Sequence, residues 1–184
     1  MLHAFGSDTD ISAAPHVGLA LQSPQDQSPG TVTGSVTVRS APCVTYRHLA
    51  NFADFPRWAP ILQKVKVEHQ STERARVFFD GALGFGPLAI RLRFRCDLRL
   101  EPERQIVMER YLDGDFEHLE FTHTLEPTAH GTRLTSSYLF GLESLSVLGQ
   151  KPLKQRPWAV RPIQYGLVAL MLNGFAHHVD GTRS

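Results

Sequence analysis

Between Ile90 and Leu100 the chain alternates without a break. Ile90, Leu92, Phe94, Cys96, Leu98 and Leu100 are apolar, and Arg91, Arg93, Arg95, Asp97 and Arg99 between them are charged. Wound as a helix, the two sets scatter over every face. Extended as a strand they separate completely, one to a dry face and one to water. A strand of this kind belongs in a sheet with one face covered. The rest of the chain must therefore supply both partner strands and a cover.

The same period of two recurs on either side. It predicts strands over Thr31–Arg39, Lys64–His69 and Ala75–Asp80 before this one, and over Gln105–Leu112, Phe116–Glu126 and Thr132–Phe140 after it. Glu101-Pro102-Glu103-Arg104, Asp113-Gly114-Asp115 and Pro127–Gly131 read as the turns between the later strands. Connections this short make neighbours antiparallel. After the first strand, Ser40-Ala41-Pro42 opens a short helix running to about Asn51, with Ser40 or Ala41 at its cap. Asp54-Phe55-Pro56-Arg57-Trp58-Ala59-Pro60 is then a rigid bend that plants a Trp between two prolines. Gly81–Pro87 is rich in glycine, but no Lys-Ser/Thr follows it and a strand comes next. It is not a phosphate loop. It reads either as a gate over a pocket mouth or as a plain hairpin loop.

The cover comes last. Arg161-Pro162 opens a helix that runs through about Val179, with Gly181 as its stop. Ile163, Leu167, Leu170, Met171 and Phe175 line one side, and Tyr165, Val168 and Leu172 the next. Only Gly166, Ala169, Asn173 and His177 make a small or polar stripe. A helix so apolar must be largely enclosed, and a curved sheet is the available enclosure. The expected architecture is α+β: a curved seven-stranded antiparallel sheet around one long C-terminal helix. Residues 1–30 mix Ser, Asp, Gln, Pro and Gly and read as a loosely ordered tail; residues 31–180 read as one domain.

Several function classes are excluded. The net charge of +1 gives no overall attraction to nucleic acid or anionic membrane. No aromatic residue interleaves with Arg91, Arg93, Arg95 and Arg99, so base stacking on that stripe is not expected. MLHAFGSDTD carries acids where a signal peptide needs bases. Ile163–Ala176 is shorter than the ~20 residues of a membrane span, which leaves transient contact with a membrane surface. Cys43 and Cys96 have no metal-type spacing and read as reduced thiols in the cytoplasm. His177-His178 lacks a third ligand, and no Gly-x-Ser-x-Gly nucleophile motif occurs. No cofactor or metal is expected.

The order of strand, short helix, six-strand meander and long apolar C-terminal helix resembles the START-like, polyketide cyclase/dehydrase superfamily. Asn51–Pro60, with a Trp following a Pro, is similar to that family's helix-to-strand stretch. Leu112-Asp113-Gly114-Asp115-Phe116-Glu117-His118-Leu119 resembles the turn of its coenzyme Q-binding branch, and Gly131-Thr132-Arg133-Leu134 the start of its last strand. The resemblance covers roughly residues 32–179 and implies the helix-grip fold, Bet v 1-like, with a cavity between sheet and helix. Two features depart from it: a long linker at 141–157 and the N-terminal tail.

Candidate cavity-lining residues are Trp58, Phe79, Phe94, Phe121, Tyr138, Leu172 and Phe175; each could equally be plain core. His123 shares a strand face with Phe121 and Leu125, and Ser136 and Tyr138 share that face on the next strand. Together these polar groups suit a ligand carbonyl or phenol, or His123 acts as an acid or base; the ordinary alternative is a buried His satisfied by a hydroxyl. The resemblance implies a deep Arg. Arg110, in register with Ile106, Met108 and Leu112, is the candidate unless a bulge flips the strand. The Arg91, Arg93, Arg95 and Arg99 stripe reads as a solvated face paired with acids such as Glu109 and Glu120, or as a docking surface. The preferred expectation is a non-catalytic carrier or presenter of a hydrophobic, isoprenoid- or quinone-like molecule. The alternatives are a cyclase or dehydratase using His123, Arg110 and Tyr138, and a macromolecular docking module.

Overall fold

The strand-forming stretches pair with their sequence neighbours in a computed structural model, which describes residues 19–22, 31–85, 88–116, 118–140 and 157–181. Strand β1 is Ala20–Leu21 and β2 is Thr31–Val38; helix α1 (Pro42–Ala50), a single 3-10 turn and helix α2 (Phe55–Trp58) follow. Six strands come next: β3 (Leu62–Gln70), β4 (Arg74–Phe85), β5 (Leu88–Glu101), β6 (Gln105–Gly114), β7 (Leu119–Thr128) and β8 (Gly131–Phe140). Helix α3 spans Pro157–Gly181. All strands join one antiparallel sheet in the order β1-β2-β8-β7-β6-β5-β4-β3. This is the helix-grip architecture, with an eighth strand added.

That strand lies in a stretch read as tail. Ala20 and Leu21 pair with Ser35 and Gly34 at the edge of β2. Two residues are too few to show a period, so only the pairing reveals them. A second correction concerns the glycine-rich loop. Gly81–Phe85 is not a loop but the end of β4, paired residue for residue with Leu88–Leu92. Gly81 is there for room: a Cβ on it would stand 2.2 Å from the Ile61 carbonyl oxygen. That carbonyl accepts a hydrogen bond from the Ala82 N–H at 2.9 Å. Gly86 and Pro87, the rest of the suggested gate, lie outside the described residues, as does the 141–156 linker.

Pro42 occupies the first turn of α1, and Ala41 rather than Ser40 takes the cap position. Ser40 instead ties the helix to the sheet. Its hydroxyl lies 2.8 Å from Thr45 Oγ1, and its carbonyl accepts from Thr132 Oγ1 at 2.6 Å. All three residues are buried.

Helix α3 lies across the concave side and buries Gln164, Val168, Leu172, Phe175, Ala176 and Val179, a stripe with helical spacing. Two glycines let it come close. A Cβ on Gly174 would sit 1.9 Å from the Trp58 carbonyl oxygen, and one on Gly34 would meet Leu172 and Leu21 side chains at 2.9 Å. The expectation of all-round enclosure is corrected here. Pro162, Gly166, Leu170 and His177 face solvent, and Leu170 is 45% exposed. The helix closes the mouth of the sheet and keeps one face in water.

Candidate functional site

The β7–β8 ladder sets His123 opposite Ser136 and Phe121 opposite Tyr138. Alternation turns all four side chains to the concave face. His123 Nδ1 and Ser136 Oγ lie 2.8 Å apart, and the His123 and Tyr138 rings meet edge-on at 5.6 Å. Burial, with no charged neighbour contributing, pushes the His123 imidazole down to about 4. It is therefore neutral at physiological pH. Burial also drives the Tyr138 phenol up, with the Ser136 hydroxyl pulling the other way. The cluster is polar and uncharged.

Around it the walls are apolar. The sheet contributes Phe79, Leu92, Phe94 and Phe121, and the helix contributes Leu167, Val168 and Met171. Phe55, Ile61 and Leu62 come from the α2–β3 corner, while Phe116, Leu119 and Phe140 come from β7, β8 and the turn before β7. Phe79 and Phe94 stack with ring centres 4.8 Å apart. They leave a cavity of about 90 Å³, several times the space one water molecule requires. It lies within a concavity of about 750 Å³ that runs out to solvent. Among the lining residues only His123 and Tyr138 carry polar side-chain atoms.

Of the residues anticipated for the lining, Phe79, Phe94, Phe121, His123 and Tyr138 border the cavity. Trp58, Leu172 and Phe175 do not. They form the packed layer that seats α3: Trp58 meets Phe175 edge-on at 5.1 Å, and all three are buried. Trp58 Nε1 finds no hydrogen-bond partner there. The helix residues of the lining were missed because most of α3 is apolar and only docking decides which side looks inward. Phe140 had a signal that went unused, since it stands two residues from Tyr138 on the same strand face.

Arg110 is excluded from the cavity, and the reason is a bulge. Leu98 pairs with Met108 and Asp97 with Arg110, which leaves Glu109 as an extra residue; a second shift leaves Leu112 extra before Arg95 pairs with Asp113. The first bulge reverses the alternation, so Arg110 is exposed and Tyr111 packs against the core. The Tyr111 hydroxyl accepts from the Phe116 N–H at 3.1 Å. An acid or base set of His123, Arg110 and Tyr138 does not assemble.

The arginine stripe is a charge-paired outer face. Arg91 forks onto Asp80 at 3.0 and 2.6 Å. Arg93 pairs with Asp115, Arg95 with Glu68 and Asp113, and Arg99 with Glu101 and Glu109. Arg91 and Arg76 hold the Asp80 and Asp97 carboxyls below the usual carboxylate range by hydrogen bonding. Glu120, expected on this face, pairs with His118 instead. Both cysteines are free, and burial pushes the Cys96 thiol up to about 12. Among the described residues no group of three or more His, Cys, Asp or Glu could hold a metal ion. No described helix is long and apolar enough to cross a membrane.

Residues 38–162 match the family model described as polyketide cyclase / dehydrase and lipid transport. No curated protein matches the chain. Among solved structures, TTHA0849 from Thermus thermophilus superposes with a TM-score of 0.70 at 17% identity, over 84% of this chain and 99% of that one. The Zhui aromatase/cyclase from Streptomyces sp. R1128 gives a TM-score of 0.66 at 16% identity, covering 84% and 95% of the two chains. The STAR-related lipid transfer protein fragment from Xanthomonas axonopodis gives 0.58 at 12% identity, covering 88% and 98%. At these identities the likeness is one of fold.

Proposed function

This chain belongs to the polyketide cyclase / dehydrase and lipid transport family, and we propose on that premise that it carries or presents an apolar small molecule bearing an uncharged oxygen. One observation supports this above others: an apolar cavity whose polar lining is the neutral pair His123 and Tyr138, with Ser136 hydrogen-bonded behind His123. Apolar walls contribute about 25 cal/mol per Å² of ligand surface removed from water. The polar pair orients the bound molecule by hydrogen bonds to a carbonyl or hydroxyl. Quinone- and polyketide-like molecules suit this chemistry, having ring carbonyls that accept hydrogen bonds.

Carriage is favoured over turnover because effective proton transfer needs a group titrating near the working pH. Burial takes His123 down to about 4 and Tyr138 upward. A second reading, a cyclase or dehydratase, keeps a foothold in the two rings facing one cavity at 5.6 Å, where they could polarise a carbonyl between them. The proposal places the protein in the reducing cytoplasm, with its two thiols unpaired.

Native mass spectrometry of the purified chain tests the carrier reading: a co-purified apolar molecule is expected. Binding of the neutral dye N-phenyl-1-naphthylamine is expected to be lost in Met171→Trp, which fills the cavity from the helix side, with the melting midpoint little changed. Dye binding unaffected by that filling would remove the cavity from the proposal. Loss of turnover in His123→Ala, with ligand affinity kept, would instead favour the enzyme.

A further inference from the structure

We infer that the cleft where β6 and β7 part is a binding site for the oxyanion head of an amphiphile whose apolar chain occupies the inner cavity. The inference rests on the carrier reading and names the ligand class more closely. The β6–β7 ladder holds for only three pairs, Gln105–Thr124, Ile106–His123 and Val107–Thr122. Beyond Val107, β6 stays with β5 while Leu119–Phe121 stays with β8. Among the described residues the sheet splits at this point.

The split opens a cleft of about 340 Å³ between Met108–Tyr111 on one side and His118–Glu120 on the other. Leu119 lines both this cleft and the inner cavity. One buried side chain thus stands between a dry interior and a polar opening.

Charge decides what the opening accepts. The inner cavity has no cation among its lining residues, so an anionic head buried there would lack compensation. An acidic amphiphile must keep its head outside while its chain is enclosed. At the cleft, Glu109 is engaged by Arg99 at 3.8 Å and Arg74 at 3.9 Å, and Glu120 faces His118 at 3.2 Å. Asp97, paired with Arg110 across the ladder, takes both its hydrogen bonds from Arg76, at 2.7 and 3.0 Å. Arg110 is the guanidinium left for a ligand. Its planar fork matches the two oxygens of a carboxylate or phosphate.

Displacement of N-phenyl-1-naphthylamine by decanoate, decyl phosphate and uncharged methyl decanoate tests the site. The two acids are expected to displace the dye at concentrations about tenfold lower than the ester, as a charge-assisted hydrogen bond provides. Their ranking tells a carboxylate head from a phosphate one. Arg110→Gln is expected to remove that advantage and leave the ester unchanged. Arg133→Gln, the same loss of charge at an exposed position away from the cleft, is expected to keep it. Equal potency of acids and ester in the unaltered chain overturns the head site, as does an undiminished preference in R110Q or an equal loss in R133Q. In those outcomes dye displacement by the ester still supports the cavity. Absence of dye binding overturns both.

Discussion

Lowering the pH sets the folded chain against its own His123. The imidazole is held neutral by burial, titrating at about 4 against an ordinary 6.5. Between those values the unfolded chain binds a proton that the folded chain refuses, so acid favours unfolding. The contribution is whole above pH 6.5, declines as the pH falls, and levels off below about 4. At 1.36 kcal/mol per pH unit the full loss is roughly 3 kcal/mol, of which roughly 2 kcal/mol has gone by pH 5. Urea unfolding at pH 7 and pH 5 measures it, with His123→Gln as the reference because Gln can still reach the Ser136 hydroxyl without titrating. Other histidines and carboxylates titrate in both proteins and cancel in the difference. The unaltered chain is expected to lose about 2 kcal/mol more than the variant over this range. Equal losses would show that His123 is hydrated or charged in the fold, and would remove the neutral cluster on which the ligand chemistry depends.

Gly174→Ala drives a methyl group into the Trp58 carbonyl, and a loss of about 1–3 kcal/mol is expected in thermal or urea unfolding. Thr132→Val leaves the buried Ser40 carbonyl without its 2.6 Å donor; a loss of about 1–3 kcal/mol is expected, read from the urea midpoint with an unchanged slope. Arg93→Glu combined with Arg95→Glu sets new acids beside Asp115, Asp113 and Glu68. Less than about 1 kcal/mol per position is expected at low salt, most of it recovered at high salt, as suits exposed pairs.

The sheet was legible wherever a strand carries its own evidence. Along β5 the alternation alone separates Leu92, Cys96, Leu98 and Leu100, all buried, from the arginines between them. The same signal placed His123, Ser136 and Tyr138 on one face, and the structure brings them together around one cavity. What stayed hidden depends on partners rather than on the strand itself. Glu109 and Leu112 become bulges only because β5 pairs across them, and that choice turns Arg110 from a deep group into a surface one. Gly81 resembled a flexible joint in sequence, but its bare Cα makes room for the Ile61 carbonyl. The inward side of α3 was unreadable because apolar residues cover most of the helix. The close approach at Gly174 selects which of them look into the cavity.

That approach also fixes how the interior can be loaded. Near its end α3 is fastened twice, where Gly174 rests on Trp58 and where Asp180 accepts the Arg39 N–H at 3.0 Å. Neither sliding nor rolling is open to a rod fastened in that way. Its remaining freedom is to tilt about this anchored end, and the stretch that swings is the one bearing Leu167 and Met171. The helix is therefore a lever whose free arm carries part of the cavity wall, so widening the mouth and reshaping the binding surface are one movement.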